Sequence, residues 1–175
     1  LVSYAARTET GLVLSASYTY ADDQLSKIKT PSTEYKFTYG DFGLRAKVEA
    51  GGRELATYTY EDRTNYLLSL DYGNGDSVNY TYNQHGELID ETYEDGNKVT
   101  YRYGNSGELA SVTDGETGIT QYYVYDLLYR LGQYREVGDN YEASLTYTYD
   151  QNNNVSKATE KIDGRSRTYT ITYDE

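Results

Sequence analysis

The chain has 175 residues and no cysteine, and 28 acidic against 16 basic residues leave it a net charge of −12. No basic stripe is visible along it, which argues against a phosphate-neutralising nucleic-acid surface; the missing cysteines exclude disulfides and thiol chemistry. Aliphatic residues are few, a balance that ordinarily marks disorder, but 24 tyrosines supply rings that can bury while their hydroxyls stay hydrogen-bonded. No apolar run is long enough for a membrane-spanning helix, so insertion is not expected.

Taken in chain order, the elements repeat. Leu12, Leu14, Ala16, Tyr18 and Tyr20 alternate with polar residues and read as a strand ending in Tyr-x-Tyr. A variant follows at Phe37-Thr38-Tyr39, then Tyr58-Thr59-Tyr60. Val78, Tyr80 and Tyr82 share a face, as do Val99, Tyr101 and Tyr103. Tyr123-Val124-Tyr125, then Leu145 with Tyr147 and Tyr149, and a last variant at Ile171-Thr172-Tyr173 complete the series. The second aromatics recur every 19 to 24 residues, a spacing that marks one supersecondary unit stacked on copies of itself.

A polar turn follows each second aromatic, then Gly or Asn, then an aliphatic residue. Tyr82 leads through Gly86 to Leu88, Tyr103 through Gly107 to Leu109, Tyr125 to Leu131 and Tyr149 through Asn153 to Val155. The first two units are a residue shorter, ending at Leu25 and Leu44, and the stretch after Tyr60 is the least regular. Gly and Asn tolerate the positive φ that tight hairpin turns require. A second turn closes each unit, as at Gly73-Asn74-Gly75, Asp95-Gly96-Asn97 and Asp163-Gly164. Pro31 falls in a Thr-Pro-Ser linker, where it removes no ladder bond.

The fold expected is therefore all-β: about eight antiparallel hairpins of about 22 residues in series, forming a long, curved or spiralling sheet. Strands lie about 4.8 Å apart, so equivalent tyrosines of neighbouring repeats are too far apart to touch, and the intervening strand must supply the packing. The Leu-x-x-Val/Ile spacing of Leu25 to Ile28 and Leu109 to Val112 breaks strict alternation and predicts a bulge or bend.

The unit Tyr-x-Tyr-Asp-x-x-Gly-x-Leu resembles the YD repeat of the Rhs family. Tyr123-Val124-Tyr125-Asp126 and Tyr147-Thr148-Tyr149-Asp150 carry it most clearly, Tyr173-Asp174 begins another copy, and Gly-Glu-Leu at 86–88 and 107–109 is similar to that family's Gly-Arg-Leu. The likeness covers nearly the whole chain and weakens between about 61 and 72. Such repeats occur in bacterial Rhs and wall-associated toxins, in shell subunits of insecticidal toxin complexes, and in teneurins. The resemblance implies a β-strip that winds into a hollow shell. The Trp-rich, Pro-rich core that marks self-cleaving Rhs toxins is missing. Choline-binding modules, another aromatic hairpin repeat, need Trp, and there is none.

Residues that could carry chemistry are better explained as turn or surface. His85 is the only histidine and lies in a polar turn. Asp150, Asn152 and Asn154 match the first half of a calcium loop, but Val155 and Lys161 stand where Gly and Glu are required. The acidic pairs Asp22/Asp23 and Asp90/Glu91 read as solvated rather than hydrolytic. No cofactor and no metal site is expected.

The chain is thus read as a non-enzymatic structural segment, 1–175, of a large secreted or surface bacterial protein, cut from a longer polypeptide because it begins at Leu1. The residues expected to define the repeat are Tyr18, Tyr20, Tyr58, Tyr60, Tyr80, Tyr82, Tyr101, Tyr103, Tyr123, Tyr125, Tyr147, Tyr149, Gly86, Gly107, Leu88 and Leu109. Expected partners are the rest of the parent polypeptide, meaning flanking repeats, a core domain or toxin cargo. Unpaired end strands near 1–20 and 165–175 would favour self-association, Gly11-Leu12-Val13-Leu14 being among the most apolar segments of the chain. The alternative is an adhesion module that binds cell-surface glycans through exposed tyrosines.

Overall fold

The computed structural model describes residues 2–7 and 13–174, with only the backbone described for 2–7, 13 and 14. Gly11 and Leu12, part of the apolar first segment, lie outside the described residues. The chain divides into two compact units, Leu1–Tyr80 and Thr81–Glu175. The first holds β1 (Val2–Arg7), β2 (Val13–Ala21), β3 (Gln24–Lys29), β4 (Glu34–Tyr39), β5 (Arg45–Ala50), β6 (Arg53–Tyr60), β7 (Leu67–Tyr72) and β8 (Ser77–Tyr82), whose last two residues cross the division. The second holds β9 (Leu88–Tyr93), β10 (Lys98–Tyr103), β11 (Leu109–Asp114), β12 (Thr120–Tyr125), β13 (Leu131–Gly138), β14 (Tyr141–Tyr149), β15 (Val155–Ile162) and β16 (Arg165–Thr170).

Within each unit the strands lie in chain order, each pairing antiparallel with the next, so the serial-hairpin expectation is met. The only helical element among the described residues is a short 3₁₀ turn at Asp41–Gly43. Tyr, Thr and Val at alternate positions favour the pleated backbone, and Gly or Asp residues at positive φ close the hairpins. Asp22 and Asp23, weighed as a carboxylate pair, form such a two-residue turn with φ of 49° and 61°.

The register separates two faces. Tyr18 and Tyr20 stand opposite Ile28 and Leu25; Thr19 stands opposite Lys27 on the other side. The same split runs through both units and gives a tyrosine–aliphatic face and a threonine–lysine face. Among the described residues only Ala56, Val78 and Ser111 are buried. Each unit is therefore a single layer held by cross-strand neighbours rather than by a packed core.

Three placements were not specified by the sequence reading. Tyr39 pairs with Arg45, not Leu44, because Leu44 follows the 3₁₀ turn and the strand starts one residue later; the Arg45 guanidinium then lies 5.1 Å from the Phe37 ring centroid. Asp90 pairs with Thr100 and Glu91 with Val99, so successive residues point to opposite faces and do not form a carboxylate pair. Ile171-Thr172-Tyr173 lies beyond the last strand.

Candidate functional site

The recurrent feature is built where each Tyr-x-Tyr strand meets its turn. In six hairpins the register slips just before the second aromatic. Tyr20 pairs with Leu25, Tyr60 with Leu67, Tyr103 with Leu109, Tyr125 with Leu131 and Tyr149 with Val155, while Tyr39 pairs with Arg45. The extra residue sits on the return strand: Ser26, Leu68, Ala110, Gly132, Ser156 and Ala46. This is the bulge that the Leu-x-x-Val spacing predicts. It turns the first aliphatic residue back onto the tyrosine face and bends the strand.

A wedge opens beside each bulge. The ladder from β13 to β14 stops at Gln133 and Thr146, two residues after Leu131 and three before Tyr149. The Tyr149 hydroxyl enters the gap and donates to the Leu131 carbonyl at 2.7 Å. The β3–β4 ladder ends at Lys27 and Lys36, and Tyr39 donates to the Leu25 carbonyl at 2.9 Å. Beyond Lys47 and Thr57, Tyr60 donates to the Arg45 carbonyl at 3.0 Å. Past Lys157 and Thr170, Tyr173 donates to the Val155 carbonyl at 3.2 Å from a segment that lies beyond the last strand. Each bond satisfies a carbonyl whose ladder partner the splay has removed.

The two tyrosines of a motif thus do different work. The first stands in the ladder against an aliphatic or aromatic neighbour: Tyr58 on Leu70, Tyr101 on Val112, Tyr123 on Tyr134 and Tyr147 on Ala158. The second, at Tyr39, Tyr60, Tyr149 and Tyr173, links its strand to the preceding repeat. Tyr80 and Tyr82 are half-buried in β8, and Leu88 opens β9.

Where it is Asp, Asn or Glu, the residue after the second tyrosine organises the turn. Asp150 Oδ1 accepts the backbone N–H groups of Asn152 and Asn154, so the carboxylate weighed as a calcium ligand is used within its own loop. Asn83 Oδ1 does the same for His85 and Glu87, which leaves His85 exposed as a turn residue. Even the irregular stretch conforms: Glu61 takes the place of Asp and accepts the N–H and hydroxyl of Thr64, which hold its carboxyl below the usual range. The turn's fourth residue is left-handed, with φ of 80° at Gly86 and 83° at Gly107, as expected. Tyr129 fills this position at 59° without being glycine.

Arg130 makes one turn more elaborate. Its guanidinium donates to Asp126 Oδ2 at 2.7 and 2.8 Å and to Asn153 Oδ1 at 2.6 Å, and lies 4.2 Å from the Tyr149 ring centroid. The side-chain bond from Arg130 holds the Asp126 carboxyl below its ordinary value. One arginine thus clasps its own turn to the next. On the same face, Glu91 occupies the slot that elsewhere holds an aliphatic residue and accepts the hydroxyls of Tyr101 at 2.9 Å and Tyr93 at 3.0 Å. Burial first, and the Glu91 bond second, push the Tyr101 hydroxyl well above its usual pKa. The Leu88-x-x-Glu91 spacing is the signal that could have revealed this.

The fold and its recurring turn define a β-hairpin repeat protein. Residues 82–120 match the RHS repeat family model. The fold is similar to the crystal structure of TcdB2-TccC3-Cdc42, at TM-score 0.78 and 17% identity, over 97% of this chain and 11% of that one. TcdB2-TccC3 without its hypervariable C-terminal region matches at 0.79 and 15%, over 97% and 11%. The Tc holotoxin pore of Photorhabdus luminescens matches at 0.75 and 16%, over 90% and 10%. The chain spans about a tenth of the length of these chains. None of the curated proteins matches it in sequence. The chain thus carries an RHS repeat at 82–120 and shares its fold with these toxin-complex structures.

Proposed function

We propose that this chain is a non-enzymatic structural segment of a β-shell, part of a large secreted bacterial protein of the Rhs type, and that the shell encloses or scaffolds a toxin or effector. The observation that carries the reading is the wedge. A tyrosine hydroxyl and a bulge recur together at the same edge of successive hairpins, and a polar side chain caps several of the turns between them, so the repeat is specified as wall material. The likeness to toxin-complex structures over nearly the whole chain supports the same role. The competing adhesion reading through the repeated tyrosines is weaker because first tyrosines of the motifs stand in the sheet's own ladder and Tyr39, Tyr60, Tyr149 and Tyr173 are used in its wedges.

The test is to produce the longest natural polypeptide containing this sequence, image it by electron cryo-microscopy and digest it with protease. A hollow wall with a protected internal segment is expected. A linear rod, or digestion with no protected segment, would overturn the reading.

A further inference from the structure

The sequence shows no basic stripe, but the register of the second unit assembles one. Arg102 pairs with Ser111, Ser111 with Tyr122, Tyr122 with Arg135, Arg135 with Ser144 and Ser144 with Lys161. These residues form an unbroken row across β10 to β15 on the threonine face, and none is acidic. With strands about 4.8 Å apart, the three cations stand about 14 and about 10 Å from one another. Arg102 and Lys161 are exposed and have no ion-pair partner among the described residues. Arg135 lies 4.8 Å from the Tyr122 ring centroid and 3.7 Å from Glu142 at the row's margin.

The first unit supplies the contrast. Its threonine face also carries lysines, but Lys27 and Lys36 approach Glu34, and Lys47 approaches Glu54 and Glu49. There these three lysines are paired within the sheet; along the row of the second unit Arg102 and Lys161 are left open. Rows of hydroxyls flank it, with Thr113 and Thr120 bonded at 3.0 Å on one side and Thr159 and Thr168 at 3.1 Å on the other.

We propose that this row is a binding surface for a linear anionic polysaccharide lying across the strands. Cations two and three strands apart, separated by hydroxyls and one half-exposed aromatic ring, suit a polymer that carries an acidic group on every second sugar and hydroxyls between. A nucleic acid presents a phosphate at every nucleotide, more densely than three cations two and three strands apart can match. The surface is distinct from the tyrosine wedges, so its failure would leave the shell reading untouched.

The experiment measures binding of the whole chain to hyaluronate, unsulfated heparosan, neutral dextran and poly(dT). Salt-sensitive binding to the two acidic glycans is expected, with dextran unbound and poly(dT) weaker. The triple variant R102Q/R135Q/K161Q should lose about tenfold or more in affinity, whereas K27Q/K36Q/K47Q should keep it. Should the triple variant not fold, R102Q and K161Q, both at exposed positions, are each expected to lose several-fold. Undiminished binding by these variants, equal binding of dextran, or tighter binding of poly(dT) would each overturn the proposal.

Discussion

The hydroxyl of Tyr149 donates to the backbone carbonyl of Leu131 at 2.7 Å, across a gap where the ladder between their strands has already ended. The bond ties one repeat to the one before it without a ladder partner. Tyr149→Phe removes the donor but keeps the ring, leaving a half-buried carbonyl unsatisfied. A loss of about 1 kcal/mol is expected in urea melts. Tyr173→Phe, at a longer and more exposed contact, should lose less. Equal losses at both, or none at Tyr149, would show that the hydroxyl does not hold the wedge.

Arg130 tests the side-chain clasp. Its planar group donates to two turns and stacks on Tyr149, a geometry an ammonium cannot reproduce. Arg130→Lys keeps the charge and should still cost about 0.5–1 kcal/mol through the lost stack. Stability indistinguishable from the parent would reduce the clasp to a surface ion pair.

The turns make a paired prediction. Gly86→Val and Gly107→Val force a β-branched residue into left-handed backbone and should each destabilise by more than about 1 kcal/mol. Tyr129→Gly should go the other way, since Tyr129 already holds φ of 59°. The gain is limited by the 3.1 Å bond from its hydroxyl to Ser106, so a rise of up to about 1 kcal/mol is expected in thermal melts.

Stability should fall at both ends of the pH scale, for different groups. Asp126, Glu61 and Asp114 are held low, by bonds from Arg130, Thr64 and Thr117 respectively. Their contribution is present above the unfolded carboxylate range near pH 4 and is lost as pH drops through the folded values. Tyr101, Tyr103 and Tyr123 are raised, chiefly by burial. Their contribution is complete below about pH 10, the unfolded value, and disappears as pH climbs past it toward the folded values. Part of the tyrosinate absorbance, that of these raised groups, should therefore rise late and together with unfolding. Ionisation of all tyrosines near pH 10 with the sheet intact would contradict the burial seen here.

The end strand should associate. β16 is exposed at every residue and pairs with β15 on one edge. Exposed edges seek partners, and salt screens the repulsion of a −12 chain beyond about 8–10 Å. Sedimentation should show larger species as salt rises. A monomer at high protein and salt concentration would show the edge to be blocked.

The sequence alone determined the period, the strand identity and the turns, because alternation, turn chemistry and tyrosine spacing are local properties read from neighbouring residues. Even the bulge was legible, since Leu25 and Ile28 cannot share a face without an extra residue between them. What only the tertiary structure decided is which distant residues meet. The wedge joins Tyr149 to Leu131, Arg130 reaches Asn153, Asp90 and Glu91 part to opposite faces, and Arg102, Arg135 and Lys161 fall into one row. Each of these follows from the register between strands. A shift of one residue carries a side chain to the opposite face, and no local pattern in the chain reports that alignment.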